Sequence, residues 1–259
     1  MRTYRMVKRA RPQTDSNRRG KKPKRAAVKK RIPRGQRDFA AARAERAETD
    51  NPRPRILDAA AALFAERGFA AASIDAVAER LGATKGLVYH HYRSKSDLFA
   101  DVCAATMAGL EALSLPLAGS RDRAISRLRN LAEAHAGDVL GRIAFHRSFA
   151  EAAACNFGAA MAPPDRQALA ATIAARADYD ARFAAVMAEA AAERDLPSGR
   201  DTVMLGRVFV SVLDGPVRWP PEAVAEMAPR FPLVARQLAY FALRGTGASD
   251  FALSEEFGH

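Results

Sequence analysis

The chain has 259 residues, of which 49% are hydrophobic, and it carries 41 Lys and Arg against 29 Asp and Glu. This length and apolar content suffice for one large domain or two modest ones with a buried core. The two cysteines lack the CxxC or Cys/His spacing of a zinc site, which excludes a disulfide framework and fits a reducing cytoplasm. No uncharged apolar run approaches the roughly 18 residues of a membrane helix, so we expect a cytoplasmic protein that is neither exported nor membrane-bound.

The net charge of +12 is concentrated at the N-terminus. Residues 1–52 contain 18 basic and 5 acidic side chains, which leaves 23 basic and 24 acidic residues for the rest of the chain. Prolines recur there without apolar periodicity, so we predict a disordered basic arm with a helical stretch near residues 40–47. Such an arm either contacts nucleic-acid phosphates or is a solvated extension, and the sequence leaves both interpretations open.

After the arm, the composition predicts an almost wholly helical protein. Alanine, the residue with the highest helix propensity, recurs in nearly every block from Ala40 to Ala192, and aromatic residues make up only 7% of the chain. No repeat and no convincing strand is present. The fold class is therefore predicted to be all-α.

The first four helices are predicted from apolar spacing and capping residues. One helix runs from Arg55 to Gly68, where a residue without a Cβ suits a left-handed cap. Ser73 caps a second helix that Gly82 ends, and Thr84 caps a third, which runs to residue 90 or 92. The capping-box sequence of residues 94–97 begins a long helix that extends to about residue 113. Two short helices joined by a glycine turn define a helix-turn-helix.

Residues 55–99 also carry a family resemblance. Their sequence reads RILDAAAALFAERGF and then, from residue 73, SIDAVAERLGATKGLVYHHYRSKSDLF. It resembles the DNA-binding domain of TetR-family regulators over the whole ordered set, with mild departures at Ala83 and Tyr92. The resemblance implies a homodimeric, sequence-specific transcriptional regulator, a repressor that leaves double-stranded operator DNA when its C-terminal domain binds a small-molecule effector.

The predicted DNA contacts divide by chemistry. Thr84, Lys85, Gly86 and His90 are expected to face base edges in the major groove, and Leu87 to reach a thymine methyl group. The family resemblance implies that Ser73, Tyr89 and Lys95 hold phosphates, with Ser73 and Lys95 at helix starts.

The competing interpretation is structural: residues 89–92 form a packed aromatic hinge and the lysines only solvate a surface. For Tyr92 we favour that packing. For Tyr89, His90 and Lys85 we favour DNA contact, and His91 is left unassigned.

The domain prediction assigns residues 1–52 to the arm, 53–100 to the DNA-binding domain, 101–245 to a helical effector-binding and dimerisation domain, and 246–259 to a C-terminal tail. Glycine and proline breakers predict further helices at residues 121–136, 138–158, 165–194, 200–215, 221–228 and 232–243.

An effector pocket in this domain is predicted from apolar side chains. Its candidate lining is Phe145, Phe149, Phe183 and Met187, with Phe157, Met161 and Tyr179 beside them, although such a stripe is more often ordinary core. Arg142, His146 and Arg147 either meet an anionic effector or belong to a charged outer face. Residues 206–219 have a weaker resemblance to regulators that bind acyl-CoA thioesters, which implies an acyl-CoA or another hydrophobic metabolite as effector.

An apolar run in the same domain predicts a dimer contact, with core packing as the alternative. Its members are Val203, Leu205, Val208, Phe209, Val212 and Leu213.

Two other classes of function remain as alternatives. A constitutive DNA-organising protein would bind mainly through its basic arm, with weak sequence selectivity. A helical enzyme is disfavoured because the sequence has no Ser/His/Asp set, no metal-ligand spacing and no phosphate-binding glycine loop. The five histidines are too scattered to form a catalytic site, although His135 and His146 could approach one another across a helical hairpin. We therefore predict no catalytic residue, no metal ligand and no cofactor.

Overall fold

Regular structure in the computed structural model, which describes residues 51–258, is entirely helical, so the all-α prediction is confirmed for that part of the chain. Residues 1–50, which hold nearly all of the predicted arm and the helical stretch near 40–47, lie outside the described residues.

The helices follow one another with short connections. They are α1 (Arg53–Ala71), α2 (Ile74–Leu81), α3 (Lys85–His91), α4 (Lys95–Ala118), α5 (Ala124–Gly141), α6 (Ile143–Ala154), α7 (Pro163–Ala192), α8 (Thr202–Leu213), α9 (Pro221–Met227), α10 (Phe231–Gly245) and α11 (Asp250–Phe257). Short 3₁₀ segments lie at Gly158–Ala160, Gly215–Arg218 and Ala228–Arg230.

Helix α4 is the centre of the core. It packs against α1 on one side and against α5, α6 and α7 on the others. The helix is long and apolar enough to span a membrane, with a mean hydropathy of 1.5 over its most apolar window. Half of that window, however, is buried inside the protein. Leu98, Phe99, Val102 and Cys103 are fully covered by these neighbours. The apolar character of α4 is thus accounted for by burial in a protein core.

Several predicted helix boundaries differ from the structure, and part of the predicted tail is helical. Helix α4 continues through Pro116 to Ala118, beyond the predicted end near residue 113. Gly137 lies inside α5, and the break falls instead at Arg142, whose backbone leaves the helical region. The helix predicted to reach residue 158 ends at Ala154. Residues 250–257, assigned to a tail, form α11, which packs on α5 and α10.

Helices α7 and α8 cross at a glycine. A Cβ placed on Gly206 would lie 3.2–3.3 Å from the backbone N and Cα of Ala184, closer than ordinary van der Waals contact. Backbone atoms cannot rotate away as the end of a side chain does, so a larger residue would require the two helices to shift apart by a few tenths of an ångström.

The Gly206→Val variant should therefore lower the free energy of unfolding by about 1–3 kcal/mol, because the added side chain overpacks the α7–α8 crossing. The matched control is Gly137→Ala within α5, where a Cβ meets nothing within 4 Å. That change should raise the free energy of unfolding by about 0.5–1 kcal/mol, because alanine favours the helix. Urea denaturation of the three proteins measures both effects. Equal stability of Gly206→Val and the parent would contradict the close crossing.

Candidate functional site

The two short helices of the predicted helix-turn-helix are fixed at each end by capping hydrogen bonds. Ser73 Oγ accepts a hydrogen bond from the amide of Ala76 at 3.2 Å, at the start of α2. At its end Gly82 adopts φ 67° and ψ 31°. The amides of Gly82 and Ala83 donate to the carbonyls of Glu79 (3.0 Å) and Ala78 (2.9 Å), which is the hydrogen-bond pattern of a Schellman cap. The predicted turn is confirmed.

Helix α3 begins directly after this turn. Thr84 Oγ1 accepts from the amide of Leu87 at 3.4 Å, so the predicted cap is present. The buried side of α3 is anchored by Val88, which is fully buried, and by Tyr92 just beyond its end. The hydroxyl of Tyr92 donates to Asp101 at 2.6 Å, in agreement with the packing role predicted for this residue.

The opposite side of α3 is open to solvent. Thr84, Lys85, Gly86, Tyr89 and His90 are exposed, and Leu87 is half-buried. Tyr89 is 53% exposed, which is unusual for a tyrosine on an otherwise anchored helix. The residues predicted to contact DNA on this helix thus share one surface, and their contacts with DNA remain predictions.

Lys85 has one partner on this surface, the carboxylate of Asp75 at the first turn of α2. Both side chains are more than half exposed. Hydrogen bonding to Asp75 raises the pKa of Lys85, so its ammonium stays charged. Exposed ion pairs of this kind contribute little to stability, so the ammonium can exchange this partner for another anion.

Lys95 is engaged within the protein. Its ammonium donates to the carbonyl of Phe69 at 2.7 Å and of Ala70 at 3.1 Å, and it lies 4.5 Å from the centroid of the Phe69 ring. An ammonium has three donors, so one remains for the phosphate contact implied by the family resemblance. Ser73 is exposed at the start of α2, with its oxygen already used as a cap.

Several polar contacts tie helices α1 to α3 and the start of α4 to the rest of the described chain, and two of them involve Phe69 and Ser94. Glu151 of α6 accepts a hydrogen bond from the amide of Phe69 at 2.8 Å, next to Gly68, whose φ is 74°. A Cβ at Gly68 would approach the same carboxylate oxygen to 3.2 Å. At the start of α7, Asp165 accepts from Ser94 Oγ at 3.2 Å.

A cavity of about 280 Å³ lies among α6, α7 and the 3₁₀ segment Gly215–Arg218. Of the predicted effector-pocket residues, Phe149 lines it, whereas Phe145, Phe183 and Met187 do not. Phe183 and Met187 are fully buried in the core, where the Phe183 ring packs against Tyr179 and Phe209. Phe183 and Met187 are therefore ordinary core residues, which was the alternative to their assignment to the effector pocket.

The floor of this cavity adjoins a buried polar network. His135 Nε2 donates to Asp214 at 3.0 Å, and its Nδ1 lies 2.6 Å from the hydroxyl of Tyr179. His146 Nε2 donates to Asp138 at 2.8 Å. The two histidine rings are 6.4 Å apart, so they do approach one another, and each has a polar partner.

The three residues predicted as alternatives for an anionic effector are all engaged elsewhere. Arg142 donates to the carbonyl of Ala105, and Arg147 donates to the carbonyls of Val217 and Trp219. His146 is buried against Asp138. These contacts lie within the protein, but His146 also lines the cavity, so an effector contact of this residue remains a prediction.

Of the charged residues that line the cavity, Asp214 and Arg218 belong to residues 206–219, the segment with the weaker resemblance, whereas Arg176 and Asp180 were not predicted. Arg176 and Asp180 stand one turn apart on α7, and Asp214 and Arg218 flank the 3₁₀ segment. The (i, i+4) spacing of Arg176 and Asp180 was the available signal. Their approach to residues 214–218 depends on tertiary packing.

Comparisons with known proteins identify the N-terminal part of the described chain. Residues 56–102 match the family model of bacterial regulatory proteins, tetR family. The chain is 30% identical over 115 residues to the HTH-type transcriptional regulator AcrR of Shigella flexneri, an alignment covering 41% of this chain and 54% of that protein. The chain thus spans about half the length, or less, of the first curated relatives that it matches.

Solved structures extend the likeness to the whole described fold. The TetR-family regulator PfmR of Thermus thermophilus superposes with a TM-score of 0.59 at 27% identity, covering 73% of this chain and 97% of that one. The ketosteroid regulator KstR2 of Mycobacterium tuberculosis gives a TM-score of 0.64 at 20% identity, covering 78% and 97%. The resemblance to the TetR family is confirmed, as is the predicted order of helix-turn-helix and larger helical domain.

Acidification should destabilise the protein through His146. Burial lowers the pKa of this imidazole, against the opposing effect of Asp138, from the ordinary value of 6.5. The unfolded chain therefore binds a proton first, and the free energy of unfolding falls as the pH drops through 6.5 toward the lower folded-state pKa. Asp138 and Asp214, whose pKa values lie below 3.8, lose their contribution only in stronger acid.

Urea midpoints measured from about pH 7 to pH 5 test this expectation. The His146→Gln variant keeps a donor for Asp138 without titrating, so its stability should depend less steeply on pH than that of the parent. His90→Gln on the exposed side of α3 is the matched control and should keep the parent slope. An unaltered slope in His146→Gln would refute the assignment.

Proposed function

From the TetR-family domain at residues 56–102, we propose that the protein is a sequence-specific DNA-binding transcriptional regulator. We further propose that it is a cytoplasmic homodimeric repressor that a small-molecule effector releases from its operator. The observation that carries the proposal is the arrangement of α3, which is anchored on one side by buried residues and exposes Thr84, Lys85, Gly86, Tyr89 and His90 on the other.

This surface has the chemistry that reading a major groove requires. A recognition helix must approach base edges closely with polar groups while its other side stays fixed to the domain. Gly86 brings no side chain between backbone and DNA, and Lys85 and His90 supply donors. Ser73 lies at the start of α2 and Tyr89 in the last turn of α3, where phosphate contacts would set the register without reading sequence.

The dimer contact is proposed on α8 and α10, which pack side by side. Both helices leave large apolar side chains in solvent, namely Val203, Met204 and Val208 on α8 and Leu233 and Phe241 on α10. Of the residues predicted from sequence for this contact, Val203 and Val208 are thus exposed. Phe209 and Leu213 are buried in the core, and Leu205 and Val212 are partly buried against it. Two exposed apolar helix faces on each protomer form the self-complementary patch that a twofold dimer needs.

The link between effector and DNA is proposed to run through α6. One face of this helix lines the cavity with Phe149, and Glu151 on another side bonds to the amide of Phe69 in the DNA-binding part. A ligand changes the preferred arrangement only if it binds one arrangement more tightly than the other. Because α6 both forms a wall of the cavity and contacts α1, a shift of α6 would change the affinity for the ligand and the position of the DNA-binding part together.

Selection of bound fragments from a random duplex pool tests the regulator proposal. Full-length protein and a version starting at Asn51 are compared at physiological salt. We expect both to enrich the same palindrome, because the described helices read the sequence, with the longer protein binding more tightly and with a steeper salt dependence.

The DNA-organising alternative gives the opposite outcome. If the full-length protein alone binds and enriches no motif, the basic arm supplies the affinity and the sequence-specific proposal fails. Failure of both proteins to enrich a sequence also overturns it.

The dimer proposal is tested by placing a charge on the apolar face. Phe241→Asp should shift the protein from dimer to monomer in analytical ultracentrifugation, because a carboxylate would be desolvated in the contact. Phe251→Asp is the matched control, since Phe251 is 72% exposed on α11, outside the proposed face, and Phe241 is 67% exposed. A Phe241→Asp protein that remains dimeric would contradict this assignment.

A further inference from the structure

The cavity among α6, α7 and the 3₁₀ segment combines an apolar wall with a charged one. His146, Phe149, Ala150 and Ala153 follow the spacing i, i+3, i+4 and i+7, which places all four on one face of α6. Apart from His146 at its edge, this wall is apolar, and Val217 extends it on the 3₁₀ segment.

The ionised groups of the opposite wall are hydrogen-bonded to one another. Arg176 Nε donates to Asp180 at 2.7 Å, and its Nη2 donates to Asp214. Asp214 also accepts from His135. Although burial opposes it, hydrogen bonding from His135 and the charge of Arg176 hold the pKa of Asp214 well below its usual range. Each charged group of this wall therefore already has a partner within the protein, although two carboxylates share one arginine.

Arg218 is the exception among the charged residues lining the cavity. Its side chain is exposed at the cavity edge and has no hydrogen bond or ion pair with any residue in the 51–258 range. A guanidinium has five donors in a planar fork that fits a carboxylate, and it is always charged. Among the described residues that line the cavity, one charged group thus lacks a partner, the guanidinium of Arg218, and it lies beside an apolar wall.

We propose that this cavity binds a small organic anion with an apolar tail, whose carboxylate pairs with Arg218 while the tail packs on Phe149, Ala150 and Ala153. The inference deepens the proposed function and rests on it, because it assigns the chemical class of the effector. The volume of about 280 Å³ lies just below the range of about 300–1,000 Å³ that is usual for ligand pockets, so the ligand is small. Larger conjugates would extend into solvent past Arg218.

Calorimetric titration of the full-length protein with three matched probes tests the proposal. The probes are hexanoate, hexanamide and hexylamine, which share an apolar tail and differ in head-group charge. Hexanoate should bind at least about tenfold more tightly than the amide, because a charge-assisted pair with Arg218 is available only to it. Hexylamine should bind more weakly than the amide.

Variants separate the two parts of the site. Arg218→Gln should remove the preference for hexanoate over hexanamide while leaving amide binding unchanged. Ala153→Leu should weaken both, since the larger side chain fills the cavity. Arg121→Gln, an exposed arginine that does not line the cavity, should behave as the parent does.

Binding of the selected duplex, measured on the same preparations, distinguishes the possible failures. A protein that binds its duplex but prefers the amide or amine, keeps its carboxylate preference in Arg218→Gln, or binds none of the probes at millimolar concentration overturns the ligand assignment alone. A protein that enriches no duplex overturns the proposed function as well.

Discussion

Burial of α4 is the constraint on which the rest of the structure depends. A helix of 24 residues with so few charged side chains in its most apolar stretch cannot remain in water, and covering it occupies α1, α5, α6 and α7 together. Because α1 belongs to the DNA-binding part and the other three to the C-terminal part, one apolar helix holds both in a single compact unit. The cap at Ser94 fixes where α4 begins, and the Asp165 contact holds that start against α7.

Helix α6 acquires its importance from the same arrangement. Its buried side contacts α1 and α4, where Ser148 and Glu151 provide the polar contacts, and its remaining side forms the wall of the cavity. The positive φ of Gly68 brings the amide of Phe69 to the Glu151 carboxylate. A molecule that fills the cavity therefore contacts α6, and α6 is hydrogen-bonded through Glu151 to the domain that carries α3. In the proposed regulation, α6 connects the cavity to the DNA-binding part.

The sequence predicted the DNA-binding part well because its signals are local. Caps at Ser73, Thr84 and Ser94 and the left-handed Gly82 act within a few residues, and each is present. The cavity was predicted poorly because burial of Phe183 and Met187, and the meeting of Arg176 with Asp214, are set by packing between distant segments. Helix ends predicted near Gly137 and Pro116 were wrong, because tertiary contacts outweigh the cost of a single helix-breaking residue.

The central claim is that the exposed side of α3 reads DNA, and charge changes beside Lys85 test it most directly. On a selected duplex, Lys85→Gln should weaken binding and reduce the salt slope by about one, because one cation is lost. Asp75→Asn should tighten binding, because it frees the Lys85 ammonium and removes a carboxylate from the same surface. Opposite shifts in dissociation constant from these two variants are the predicted result. Unchanged affinity in both would contradict the account, since α3 would then lie away from the DNA.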